Sequence, residues 1–210
     1  MDYGKIASEM QELMPYAEYI DIYDLLSEED YYATDIHWRQ EQLVDVAEYI
    51  SDSMGVEMNG GYEVKALEEE FCGVYYGQTA LPLKGETLYY LTNDVLEQCV
   101  VYDFENDKTI GIYDMEKAVG KDPYELFLSG PLSLLTIENP NAVKANELIV
   151  FRDSFGSSLI PLLAEGYSKI TLVDIRYIQS GLLERFIEFK NQDVLFLYST
   201  SVLNNSETLK

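Results

Sequence analysis

One stretch, Glu147 to Tyr198, limits the folds open to this chain more than any other. Glu147–Phe151 (ELIVF) is a short apolar run suited to a buried strand. Ser157–Tyr167 (SSLIPLLAEGY) reads as a helix, with Pro161 tolerable because it falls within about the first turn. Lys169–Ile175 (KITLVDI) predicts a second strand, Gly181–Lys190 (GLLERFIEFK) a second helix and Asp193–Tyr198 (DVLFLY) a third strand. Alternating strands and helices with short connections are the pattern of right-handed crossovers. The expectation is an α/β fold, a three-layer sandwich with a mainly parallel sheet covered on both faces. Ligands in such sheets bind beyond the carboxyl ends of the strands. That rule directs attention to Arg152–Gly156 (RDSFG) and to the loop after Val173.

Upstream, residues 5–14 place Ile6, Met10, Leu13 and Met14 at helical spacing before Pro15. Residues 18–23 (EYIDIY) alternate apolar and acidic side chains and predict a short strand. YYATDIHW follows at 31–38. From Arg39 to about Met54, Leu43, Val46, Ala47 and Ile50 form a helical stripe that Gly55 closes. The middle, roughly 56–146, is rich in Tyr and Gly, with β-like runs at Leu88–Leu91, Gln98–Phe104 and Thr109–Tyr113. The last two predict a hairpin across ENDK. Asp103, Glu105, Asp107 and Asp114 mimic a calcium loop, but Lys108 stands where glycine is required and strands flank the turn. A solvated acidic hairpin is the better reading. No repeat or low-complexity linker divides the chain, so 1–210 reads as one domain with a Tyr-rich β region inserted at about 56–146.

Charge and rare residues exclude several functions. The chain carries 14 basic against 38 acidic side chains, a net charge of −24, which disfavours nucleic acid and anionic membranes as partners. With 47% hydrophobic residues it can bury a core, and no run of about 18 apolar residues exists to span a bilayer. A single histidine, His37, and two cysteines rule out a zinc site of several Cys and His ligands, and no cofactor is expected. Cys72 and Cys99 are open to two readings, one disulfide in an exported protein or two buried free thiols. Met1–Ile20 lacks the basic segment and apolar run of a secretory signal.

Ser154 lies where a buried strand gives way to a helix. The amides that follow, at Phe155 and Gly156, are placed to meet a developing oxyanion. Position alone favours a plainer role, with Asp153 or Ser154 capping the helix. His37 shifts the balance, because a serine needs a base and this is the sole imidazole. Asp35 lies two residues earlier, on the same side of an extended segment, where its carboxylate reaches Nδ1 and fixes the tautomer. Arg152 suits either an anionic sugar or a salt bridge to Asp153, and Arg176 follows a strand end near the same rim. Tyr75, Tyr76, Tyr89 and Tyr90 suit stacking on sugar rings or half-buried packing.

YYATDIHW followed by an amphipathic helix, with FRDSFGSSLIPLLAEGYSKITLVDIRY far downstream, resembles the bacterial DHHW family. That family groups with SGNH-like hydrolases and is similar to periplasmic O-acetyltransferases that modify alginate and other exopolysaccharides. Asp35, His37 and Trp38 match its Asp-His-His-Trp motif, while Ile36 replaces the first histidine. The resemblance covers most of the chain, including Phe71, Gly73 and Tyr76 in FCGVYYG and the segment LFLSGPLSLLTIENPNA. It implies an SGNH-hydrolase or flavodoxin-like sandwich with Ser154 as nucleophile, His37 as base and Asp35 as its orienter. Phe155, Gly156, Gly130, Arg152 and Tyr76 are the implied oxyanion and substrate contacts. Relatives commonly have Gly-Asn at Gly130-Pro131 and Asn at Ser157, and usually carry a strand ahead of the first helix. The implied activity is a serine esterase or O-acyltransferase, outside the cytoplasm, on acylated polysaccharide or another small ester. The competing readings are a catalytically degenerate glycan-binding or scaffold protein, and an unrelated α/β domain.

Overall fold

The computed structural model describes residues 2–78, 83–205, 207 and 209–210. In chain order it has α1 (Tyr3–Leu13), α2 (Val44–Ser53), β1 (Glu63–Phe71), α3 (Val74–Gln78), β2 (Glu86–Thr92), α4 (Asp94–Gln98), β3 (Val100–Asp103) and β4 (Lys108–Ile110). Then come α5 (Met115–Ala118), β5 (Leu134–Glu138), β6 (Glu147–Arg152), α6 (Gly156–Leu163), β7 (Lys169–Val173), β8 (Asp193–Leu197) and α7 (Thr200–Asn204). Residues 79–82, within the expected β-rich stretch 56–146, lie outside the described residues.

β6 is apolar along its length because both its edges and both its faces are covered. It pairs in parallel with β7 and with β8, setting Val150 between Leu172 and Leu195. On one face Leu148 and Val150 pack against Leu159, Leu162 and Leu163 of α6 and the α2 stripe of Val46, Ala47 and Ile50. On the other face Ile149 meets Leu183 and Ile187. The full sheet has six strands in the order β4-β3-β5-β7-β6-β8.

Only that one half is parallel. β5 pairs antiparallel with β7, and β3 antiparallel with both β5 and β4, so the expected mainly parallel sheet is corrected to a mixed one. The reason is local. The hairpin β3–β4 reverses the chain through an Asx turn in which buried Asp103 accepts from the amides of Glu105 and Asn106, and no crossover helix is needed. Three strands of the middle region thus extend the main sheet. β1 and β2 form a separate antiparallel ribbon, with a register shift between Ala66 and Glu70.

Three other expectations change. Residues 18–22 form no ladder, and a 3₁₀ turn begins at Tyr23. The segment 181–190 is not an α-helix but a 3₁₀ stretch, Ser180–Arg185. Only Leu183 and Ile187 are buried there, while Phe186 and Phe189 stay exposed, too narrow an apolar seam to hold a full helix face. Pro161 lies beyond the first turn of α6, and the helix tightens to 3₁₀ at Ala164–Gly166. Both cysteines are free thiols, Cys99 buried and Cys72 half-buried. Burial pushes the Cys99 thiol up to about 12, with the nearby Glu165 carboxylate adding to it. Among the described residues no helix is long and apolar enough to cross a membrane.

Candidate active site

The segment 31–38 is a pinched loop rather than the extended run its sequence suggests. An isolated antiparallel bridge joins Tyr31 to Trp38, and the Tyr32 amide donates to the His37 carbonyl at 3.2 Å. Asp35 and His37 meet within the loop through an Asx turn. Asp35 Oδ1 accepts from the His37 amide at 3.0 Å and lies 2.5 Å from its Nδ1. Asp35 Oδ2 accepts from the Val74 amide at the start of α3, at 2.8 Å. Burial works against charge on Asp35. The hydrogen bonds from the His37 ring and the Val74 amide outweigh it and hold the carboxyl below its ordinary value. An ionised Asp35 accepts a hydrogen bond from Nδ1–H, which turns Nε2 away from it as the ring's other nitrogen.

Side chains far away in sequence fix the loop from outside. Glu86 on β2 accepts from the amides of Ala33 and Thr34 and from the Thr34 hydroxyl, at 3.1, 2.8 and 2.8 Å. Gly73 packs so tightly behind Asp35 that a Cβ there would meet the Asp35 Cβ at 2.3 Å. Gln40 is wholly buried. Its amide nitrogen donates to the Ser158 carbonyl in α6 at 2.7 Å, and its oxygen accepts from the Leu91 amide and the Tyr113 hydroxyl. Glu86 and Gln40 had no motif to mark them. A buried glutamine beside the tryptophan of a loop is a signal visible only once the fold is known.

His37 is 8% exposed, and its Nε2 is buried without a hydrogen-bond partner. The imidazole stacks on Tyr124, ring centroids 4.1 Å apart at 11°, and meets Phe155 at 5.4 Å. Trp38 packs edge-on against the same Phe155 at 4.9 Å. Phe155 follows Ser154 at the turn between β6 and α6, so the loop carrying the histidine and the elbow carrying the serine converge on one side chain. Ser154 is half-buried, and its hydroxyl makes no hydrogen bond to His37 or to any other described residue.

The amides expected to serve as oxyanion donors all have acceptors within the protein. The Phe155 amide donates to Asp153 Oδ1 at 3.0 Å and the Gly156 amide to the Asp153 carbonyl at 3.1 Å. Gly130 (φ +83°) follows two further left-handed residues, Leu128 and Ser129, and its amide donates to the Phe127 carbonyl at 3.2 Å. Among the described residues the Ser154 amide is the elbow N–H left without an acceptor.

Both readings of Arg152 are corrected as well. It is wholly buried, under the elbow rather than on its rim. It donates to the Ser157 hydroxyl at 2.9 Å and the Asp153 carbonyl at 3.3 Å, with no ion pair to the Asp153 carboxylate. Arg176 is committed to Asp174, with a 2.6 Å ion pair. Tyr76 is 45% exposed on α3, three residues beyond Gly73. No group of three or more His, Cys, Asp or Glu among the described residues could hold a metal ion.

The sequence pattern of the family described as DHHW protein matches residues 13–173. Solved structures share the fold. A DHHW family protein from Eubacterium siraeum superposes with a TM-score of 0.68 at 23% identity, covering 86% of this chain and 63% of that one. Bacillus cereus PatB1 superposes with a TM-score of 0.65 at 23% identity, covering 83% of this chain and 63% of that one. PatB1 with a sulfonyl adduct gives 0.61 at 22%, covering 83% and 62%. The chain thus spans a little under two thirds of the length of these structures. Among curated proteins, nothing matches.

Proposed function

The chain belongs to the DHHW family, and on that premise we propose that it is an SGNH-like serine esterase or O-acyltransferase. Its substrates are acylated cell-surface glycans, met outside the cytoplasm. Ser154 attacks the ester carbonyl carbon while His37 Nε2 takes the hydroxyl proton, and Asp35 stabilises the imidazolium that forms. The tetrahedral intermediate collapses, the donor oxygen leaves with the proton from Nε2, and an acyl-Ser154 remains. Water or a sugar hydroxyl then attacks that ester and passes its proton to Nε2, and the second intermediate collapses as the Ser154 Oγ–acyl bond breaks and Oγ takes that proton back. The negative oxygen of each intermediate faces the uncommitted Ser154 amide near the start of α6.

The observation that carries this reading is the Asp35–His37 pair, 2.5 Å apart, with Nε2 buried and unpartnered beside the Ser154 elbow. The sulfonyl adduct on a structural relative agrees with it, since sulfonyl electrophiles are captured by activated hydroxyls. A second reading, a degenerate glycan-binding protein that keeps the pair as a relic, is favoured by two particular facts. The Ser154 hydroxyl does not reach His37, and Pro131 brings no N–H to the segment expected to help hold an oxyanion. Hydrolysis of p-nitrophenyl acetate separates them. Turnover lost in Ser154→Ala supports the enzyme, whereas equal slow release by both proteins, with binding on a glycan array, supports the relic.

A further inference from the structure

We infer that Tyr124 is a positioning residue that ties the orientation of the His37 imidazole to the helix carrying the nucleophile. This rests on the reading of His37 as the base. Asp35 grips the imidazole along one edge only, through Nδ1, and leaves its faces to be supported by other groups. Two rings supply that support. Tyr124 lies nearly parallel on one side at 4.1 Å and 11°, and Phe155 closes in at 5.4 Å and 55°. Tyr124 is itself held in an aromatic box, edge-on to Tyr32 at 6.4 Å and tilted to Phe127 at 5.0 Å.

The phenol supplies the link. Tyr124 is buried, and its hydroxyl donates to Ser158 Oγ at 2.8 Å. Ser158 lies on α6, four residues beyond Ser154, so one rigid helix sets both the nucleophile's elbow and the support of the base. A phenol needed only for packing would be served as well by phenylalanine, which brings no polar group to satisfy. The mechanical consequence is specific: a shift of α6 carries the imidazole with it, and the Ser154–Nε2 geometry is preserved. Misplacement of a reacting group by about 1 Å costs on the order of 10²-fold in rate.

Two independent readouts test this. In kinetics with p-nitrophenyl acetate, Tyr124→Leu is expected to lower kcat about 10²-fold with KM nearly unchanged. Tyr124→Phe, which keeps the ring and cuts the link to Ser158, is expected to regain only part of that loss and to stay about tenfold below wild type. Wild-type kcat in Tyr124→Phe, or none of the loss in Tyr124→Leu, overturns the inference. The second readout needs no turnover. The chain has one histidine, so its imidazole carbon-bound protons give a single pair of proton NMR signals, moved upfield by the Tyr124 ring current. Ser158→Ala is expected to shift that pair toward free-imidazole positions, and signals unmoved in Ser158→Ala overturn the inference even if Tyr124→Leu fails to fold. A wild-type protein without esterase turnover would sink the proposed function and leave the NMR result to judge Tyr124.

Discussion

Asp35 and Asp153 stand on the two arms of the candidate site and are built alike. Each is buried, and each accepts at 3.0 Å from the amide two residues on, of His37 and of Phe155. Each spends its second oxygen on a distant amide, Val74 at 2.8 Å for Asp35 and Ser199 at 2.7 Å for Asp153. They differ in one contact. Asp35 also holds an imidazole, and Asp153 holds only backbone. One folding device thus shapes both arms, and on one of them it has been joined to a titratable ring. The comparison separates what makes the loops stable from what makes them reactive.

Asparagine at each position breaks the comparison most sharply. Asp35→Asn keeps one acceptor oxygen, so an NH2 group that cannot accept must face either Val74 N–H or the His37 side, and the charge opposite Nδ1 is gone. Esterase kcat is expected to fall about 10³–10⁴-fold, as when the orienting carboxylate of a serine triad is neutralised. Asp153→Asn is expected to stay within about tenfold of wild type, since it touches no reacting group. Equal losses in the two would mean that both aspartates serve the fold alone.

Alanine tests the fold of the arms rather than their chemistry. Asp153→Ala leaves the Phe155 and Ser199 amides without acceptors, at about 1–3 kcal/mol each where water cannot reach. Gly73→Ala drives a methyl group against Asp35 and is expected to cost about 1–3 kcal/mol with a loss of activity. Urea denaturation measures both, and a Gly73→Ala protein as stable and active as wild type would show that the Asp35 arm yields easily.

The Asp35 arm carries a pH dependence of its own. The folded-state pKa of Asp35 lies below its usual 3.8. Its charged form therefore adds stability that is present above that usual value and lost as pH falls through the folded one. The stability advantage of wild type over Asp35→Asn, followed by denaturation, should shrink as pH drops below about 4. An advantage that holds constant into acid would deny the ionised pair.

The smallest effect concerns the thiols. Near neutral pH, iodoacetamide should label half-buried Cys72 while Cys99, raised to about 12 and buried, reacts only on unfolding. Cys72 adjoins Gly73, so that label perturbs the Asp35 arm and leaves the Asp153 arm alone.

The parallel half of the sheet could be read from the sequence because ELIVF, KITLV and DVLFL are short apolar runs with helix between the first two, a signal that burial on both faces imposes. In the antiparallel half only the hairpin β3–β4 was legible, from the runs on either side of ENDK, and β5 left no such mark. The direction of β5 depends on how the hairpin β3–β4 and the turn at Leu128–Gly130 route the chain, which periodicity does not encode. In the site, Asp35 and His37 were legible as a pair, though an Asx turn brings them together rather than the alternation of a strand. Arg152 was read as the partner of an anionic sugar or of the Asp153 carboxylate, while its hydrogen bonds go to the Ser157 hydroxyl and the Asp153 carbonyl beneath the elbow. Tyr124 and Gln40 were not legible at all, since their partners lie on α6, β2 and the loop of His37.

Phenylmethylsulfonyl fluoride followed by peptide mass spectrometry probes the reactive hydroxyl itself. The account expects a single sulfonyl group on Ser154, formed far more slowly in Asp35→Asn and within about tenfold of the wild-type rate in Asp153→Asn. Labelling spread over other residues, or a Ser154 rate indifferent to Asp35, would contradict it.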